Sequence, residues 1–142
     1  MSGTLLHEDY PVEAEDYTRA GEASADIKRK LKQLGVSAVV LRRISVASYE
    51  VELNLVIHSM GGVLTLEVTP ERVLLVSADR GPGIPDLELA MREGWSTANE
   101  TARSLGFGAG MGLPNMKRNA DEFDIQSEVG RGTTIKMGFL LT

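Results

Sequence analysis

Leu105-Gly106-Phe107-Gly108-Ala109-Gly110-Met111-Gly112-Leu113-Pro114-Asn115-Met116 sets four alternate glycines directly before a segment that reads as the start of a helix. Glycine admits positive φ and lets main-chain N–H groups approach an anion closely, while a helix start adds unsatisfied donors and the positive end of a dipole. Pro114 suits a first helical turn. The run therefore reads as a phosphate cradle, with a ligand-free hinge as the alternative. Two common glycine signatures do not fit it. A G-x-G-x-x-G begun at Gly106 needs glycine where Met111 stands, and one begun at Gly108 needs it where Leu113 stands. The P-loop spacing misses its second glycine at the same two positions.

Two further segments give the run a context. Arg72 to Ala78 is an apolar run of strand length, and it leads into Asp79-Arg80-Gly81-Pro82-Gly83-Ile84-Pro85-Asp86. A carboxylate at the end of a buried strand, followed at once by a Gly-Pro-Gly bend, can present one fixed acceptor to a ligand. The alternative is a strand-ending turn in which Asp79 bonds nearby backbone. Upstream, Leu41 to Ser59 reads as a helix on which Glu50, Asn54 and His58 recur at i, i+4 and i+8 and share one face, with Val51, Leu55 and Ile57 as packing surface. A solvated face would account for that stripe. Its chemistry is also apt: Glu50 can accept a proton, and one turn away an amide oxygen, Asn54, can ligate Mg²⁺.

Taken in this order, the segments resemble the GHKL ATP-binding superfamily. Glu50-x-x-x-Asn54 is similar to its N-box, Asp79-x-Gly81-x-Gly83 to its G1 box and Gly106 to Gly112 to its G2 box, and Gly130-Arg131-Gly132-Thr133-Thr134 is similar to the closing G-x-G-T. Within the superfamily the short chain, the Glu50/Asn54/His58 spacing and Glu93-Gly94-Trp95-Ser96-Thr97 most resemble the bacterial anti-sigma factor and switch-protein serine kinases. The resemblance covers about residues 17–141. The catalytic domain of a two-component histidine kinase fits less well, because no helical pair carrying a phosphoacceptor histidine is evident.

The resemblance implies an α/β fold, the two-layer α/β sandwich of the Bergerat ATP-binding type, with a mixed sheet and helices on one face. It also implies site roles. Asp79 would accept a hydrogen bond from the adenine amino group, Gly81 and Gly83 would let the loop pass against the base, and Thr133 would back it through its hydroxyl. Gly106, Gly108, Gly110, Met111 and Gly112 would shape a lid over the phosphates of ATP. Asn54 would hold Mg²⁺, and Glu50 would be the general base toward a partner's serine or threonine. His58 is given no catalytic role. The activity implied is ATP-dependent protein serine/threonine kinase, acting on a STAS-type antagonist or scaffold with a sigma factor or other regulator downstream. A homodimer is compatible with it. The alternative is a non-catalytic module whose ATP or ADP occupancy selects its partner; the carboxylate at Glu50 favours the enzyme.

Composition narrows the classes independently. A chain of 142 residues with 42% hydrophobic content suits one domain with a buried core. The net charge of −5 and the brevity of Lys28-Arg29-Lys30 and Arg42-Arg43 argue against nucleic acid as the partner. With no cysteine and only His7 and His58, disulfides and Cys- or His-rich metal sites are excluded. No apolar run approaches the ~20 residues of a membrane span, and no basic-then-apolar leader opens the chain, so a cytoplasmic protein is expected.

The remaining organisation reads β-α-α-β-β-α-α-β-β. Leu5 to Val12 is a candidate strand, and Tyr17 to Leu34 a helix with Ala20, Ala23, Ile27, Leu31 and Leu34 on one face, stopped by Gly35. Val63 to Val68 alternates as a half-buried strand. A short helix is expected over 87–93, a long functional loop over 94–112, a helix from Pro114 to Asn119, and closing strands over 123–127 and 133–141.

Overall fold

A computed structural model of the chain describes residues 3–57, 59–81, 83–84, 91 and 112–141. Its elements are β1 (Leu6–Val12), α1 (Glu22–Gln33), α2 (Ala38–Ile57), β2 (Gly62–Val68), β3 (Arg72–Asp79), α3 (Gly112–Asn119), β4 (Glu122–Glu128) and β5 (Gly132–Leu140). Apart from Met91, the expected helix over 87–93 lies outside the described residues, as does the expected loop over 94–112, with Trp95, up to residue 111, while Gly112 opens α3.

The strands form one sheet in the order β1-β2-β3-β5-β4. Alternation decides which side of it is buried: Leu64, Leu66 and Val68 on β2, Val73 and Leu75 on β3, and Ile135, Met137 and Phe139 on β5 all point to one face. Helices cover that face. α1 contributes Ile27 and Leu31, α2 contributes Ile44, Val51 and Leu55, and α3 contributes Met116, all fully buried. Each such side chain contributes roughly 1.5–3 kcal/mol of apolar burial. The two-layer α/β sandwich is thus formed as expected.

Among the described residues the sheet is antiparallel in all four of its pairings, where a mixed sheet was expected. A single crossover helix would return the chain to lay a parallel strand. Two successive helices, α1 and α2, instead bring it back to the end where β1 finished, with Val12 beside Gly62, and the β2–β3 and β4–β5 connections are hairpins.

α1 begins at Glu22, later than the expected Tyr17, because Gly21 adopts φ 99° and ends any earlier helical run. Leu34 closes the helix with 46% of its surface exposed, so it is not part of the buried stripe, whereas Ala23, Ile27 and Leu31 are. No local side chain caps the α1 N-terminus. The buried Glu52 of α2 does so instead, accepting the N–H groups of Gly21, Ala23 and Ser24 at 3.0, 3.1 and 2.9 Å. Its charge also faces the positive end of the α1 dipole, so one carboxylate locks the two helices together. Among the described residues no helix is long and apolar enough to cross a membrane.

Candidate functional site

α2 is the element that carries the N-box pattern, and its burial explains where those residues point. Val51 and Leu55 turn into the core with Glu52, which leaves Glu50 and Asn54 half-buried on the flank that meets α3. There the Asn115 amide of α3 donates to Glu50 Oε1 at 3.4 Å, and Asn115 is in turn held by the Arg118 guanidinium, which donates to its Oδ1 at 3.2 Å. Arg43 ties the same two helices by donating to the Asn119 carbonyl and pairing with Asp121, both at 2.9 Å. Burial pushes the Glu50 carboxyl above its ordinary range, and the Asn115 hydrogen bond works against that shift.

Gly112 opens α3 directly against this pair. A Cβ at that position would stand 3.3 Å from both Asn54 Oδ1 and Glu50 Oε2, so the absence of a side chain keeps clear a space bounded by a proton acceptor and an amide oxygen. A hard cation accepts oxygen donors of this kind, and the donor set suits Mg²⁺.

The second group of residues gathers at the end of β3. Asp79 Oδ1 accepts the N–H groups of Gly81 at 3.0 Å and of Thr133 at 2.9 Å. The turn-stabilising role that a plain strand-ending aspartate would play is therefore filled by one oxygen, and Oδ2 has no hydrogen-bond partner among the described residues. Gly132 makes this packing feasible. It sits at φ 123°, and a Cβ there would come within 2.8 Å of Asp79 Oδ1, 2.9 Å of the Gly81 nitrogen and closer still to the Asp79 carbonyl oxygen. Gly83 lies against the Glu128 carbonyl. The buried Thr133 hydroxyl pairs with Ser127 Oγ at 2.7 Å, and Ser127 Oγ also accepts the Ile84 N–H at 2.6 Å.

The exit of α2 joins the two groups. Met60 N–H donates to the Gly81 carbonyl at 2.8 Å, and Arg80 N–H donates to the Gly61 carbonyl at 3.1 Å. The helix bearing Glu50 and Asn54 is thereby pinned to the loop that carries Asp79. Of the residues singled out in the sequence, Glu50, Asn54 and Gly112 come together, and so do Asp79, Gly81, Gly83 and Thr133. Gly106, Gly108, Gly110, Met111 and His58 lie outside the described residues. Sequence reasoning did not find Asn115, Ser127 or Glu52. Asn115 sits in the quoted glycine-run stretch, but nothing local distinguishes it, since its partner is 65 residues away.

A separate cleft of about 280 Å³ lies between β1 and the start of α1, lined by Asp9, Glu13, Asp16, Glu22 and Asp26 among others. Its carboxylates disfavour a polyanion there.

A profile of the histidine kinase-, DNA gyrase B-, and HSP90-like ATPases matches residues 40–142. Among curated proteins, the serine/threonine-protein kinase RsbT of Bacillus subtilis is 35% identical over 109 residues, covering 74% of this chain and 76% of that one. An anti-sigma F factor of Geobacillus stearothermophilus is 34% identical over 109 residues, with 72% and 71% covered. Another from Thermoanaerobacter sp. (strain X514) is 30% identical over 110 residues, with 74% and 73% covered.

Proposed function

Because the chain belongs to the histidine kinase-, DNA gyrase B-, and HSP90-like ATPase family, we propose that it is a single ATP-binding domain acting in the cytoplasm as a protein serine/threonine kinase. Its substrate would be a STAS-type partner protein within an anti-sigma regulatory circuit. The names of its relatives, a serine/threonine kinase and anti-sigma F factors, support this reading. The observation that carries it is the desolvated Glu50 carboxylate beside Asn54, facing a position kept clear by Gly112.

In this reading Asp79 Oδ2 accepts the adenine amino group while Oδ1 holds the loop, and Gly81, Gly83 and Thr133 form the wall behind the base. Asn54 would hold Mg²⁺, which when bound neutralises charge on the phosphates. The α3 N-terminus at Gly112, with the preceding glycines, supplies N–H donors to the phosphates. Glu50 takes the proton from the partner's hydroxyl as that oxygen bonds to the γ-phosphorus. The bond from the γ-phosphorus to the β,γ-bridging oxygen breaks, and ADP leaves. Burial raises the affinity of Glu50 for a proton and so makes it a better base than an exposed glutamate.

The test is Glu50→Gln, which keeps size and polarity but cannot accept the proton. With radiolabelled ATP and purified STAS-domain proteins of the same genome, transfer falls about 10²- to 10⁴-fold while calorimetric ATP affinity holds. Transfer at the parent rate would remove Glu50 as base. Nucleotide-dependent partner binding without any transfer by the parent protein would make the chain a gated binding module instead.

A further inference from the structure

Most of the charge on this chain is negative, yet the outer side of its helix layer is basic. Arg42 on α2, Lys28 and Lys32 on α1 and Lys117 on α3 are exposed and have no ion-pair or hydrogen-bond partner among the described residues. The acidic residues gather elsewhere: Asp9, Asp16 and Glu22 at the β1–α1 cleft, Glu122, Asp124 and Glu128 on the edge strand β4. Within the basic side runs an apolar ridge. Val39, Val46 and Tyr49 of α2 are 72%, 37% and 40% exposed. With Arg42 they recur at i, i+3, i+7 and i+10 and so lie along one face of the helix. A buried helix side needs no such residues on its outer face, and an exposed apolar stripe marks a contact surface.

The ridge leads to the candidate catalytic residue. Glu50 lies one turn beyond Val46 on the same side of α2, and at 1.5 Å per residue the span from Val39 to Glu50 is about 16 Å. That is the footprint of a protein surface and exceeds that of a small ligand. We propose that this ridge is the docking surface for the protein whose hydroxyl is phosphorylated, and that the docked face of that protein is apolar and ringed by carboxylates. The proposal rests on the kinase reading above. Charge complementarity selects an acidic partner: Arg42 stands within the ridge, Lys28, Lys32 and Lys117 are exposed on the two helices that pack against α2, and a second copy of this chain, with the same basic residues, would repel itself there. Apolar contact along Val39, Val46 and Tyr49 then sets the distance at which an acceptor hydroxyl reaches Glu50.

Transfer kinetics with purified STAS-domain proteins of the same genome test it, using Val46→Asp and Arg42→Glu. Both positions are exposed and stand apart from the nucleotide residues, so ATP affinity by calorimetry stays at the parent value and reports that each variant is folded. The KM for the protein substrate rises about tenfold or more in each, and raising salt weakens the parent more than Arg42→Glu. Leu5→Asp, an exposed apolar position at the edge of the sheet, is the control and leaves KM unchanged. Transfer that proceeds with unchanged KM in both variants overturns the docking surface and leaves the kinase reading intact. Failure of the parent to bind or phosphorylate any STAS-domain protein overturns both. Self-association of the parent, abolished by Val46→Asp in sedimentation runs, assigns the ridge to a second copy and overturns the acidic partner.

Discussion

At the end of β3, one carboxylate oxygen of Asp79 holds two backbone N–H groups at 3.0 and 2.9 Å, whereas on α2 one oxygen of Glu50 meets a single side-chain amide at 3.4 Å. The first arrangement is made from main chain: its donors cannot rotate away, and Gly132 brings strand β5 so close that no side chain fits between. The second is made from side chains on two helices whose relative position depends on packing and on the Arg43 contact with the Asn119 carbonyl. Charge-assisted bonds to fixed backbone donors are the stronger and less deformable kind. In the kinase reading proposed above, the difference separates two tasks. Recognising a flat base requires a rigid acceptor, while transferring a proton requires a group whose basicity responds to its surroundings.

Gly132→Ala should break the rigid end most severely. The added Cβ meets Asp79 and Gly81 in a backbone conformation already unfavourable to alanine, so a stability loss of about 3 kcal/mol or more in urea titration and loss of ATP binding are expected. Gly130→Ala, at φ 86° with open space around it, should cost only about 1 kcal/mol. Equal costs would mean that close approach, the premise of a rigid base-binding end, is not what glycine provides at 132.

A finer probe of the same end is Asp79→Asn. The amide oxygen can still accept from Gly81 and Thr133, but the other atom becomes a donor and, in the proposed reading, would face the adenine amino group. A loss of about 1–3 kcal/mol, roughly ten- to hundredfold in ATP affinity, is expected by calorimetry with little change in melting temperature. A large loss of stability instead would place Asp79's value in the turn rather than in the ligand.

Asn115→Leu tests the adjustable end. Without the amide, burial acts on Glu50 unopposed, so the acidic limb of the pH profile for phosphoryl transfer should move to higher pH, with ATP affinity little affected. The sign extends to stability. A carboxyl raised in the folded state binds its proton more tightly than in the unfolded chain, so its contribution falls as pH rises from the ordinary glutamate range through the raised value. An unmoved pH limb would show that Asn115 does not act on Glu50.

The smallest effect belongs to a cluster that serves neither end. Lys30 and Tyr10 hold the Asp26 carboxyl well below the usual range, and burial with Asp26 pushes the Tyr10 phenol up to about 12. Asp26 therefore contributes stability above the ordinary aspartate pKa and loses it as pH falls below that value. Tyr10→Phe should weaken acid resistance by under about 1 kcal/mol in melting experiments at pH 3 against pH 7, with ATP affinity unchanged. A change in ATP affinity would tie this cluster to the site.

What the amino-acid sequence determined by itself is what short-range spacing controls. The i, i+4 relation of Glu50 and Asn54 is a property of any helix, the alternation of Leu64, Leu66 and Val68 is a property of any strand, and the glycines at 81, 83 and 132 mark backbone that no other residue tolerates well. Element boundaries already showed the limit, since Gly21 delayed α1 and left the start of that helix to a distant cap. The tertiary structure alone decided which groups meet. Glu52 caps α1 by reaching Gly21 across 31 residues, Thr133 reaches Asp79 across 54, and Asn115 reaches Glu50 across 65. It also decided the antiparallel order of the sheet and the exposure of the α2 ridge. Hydrogen bonds and burial depend on three-dimensional distance, and the folding of distant segments onto a common core sets that distance.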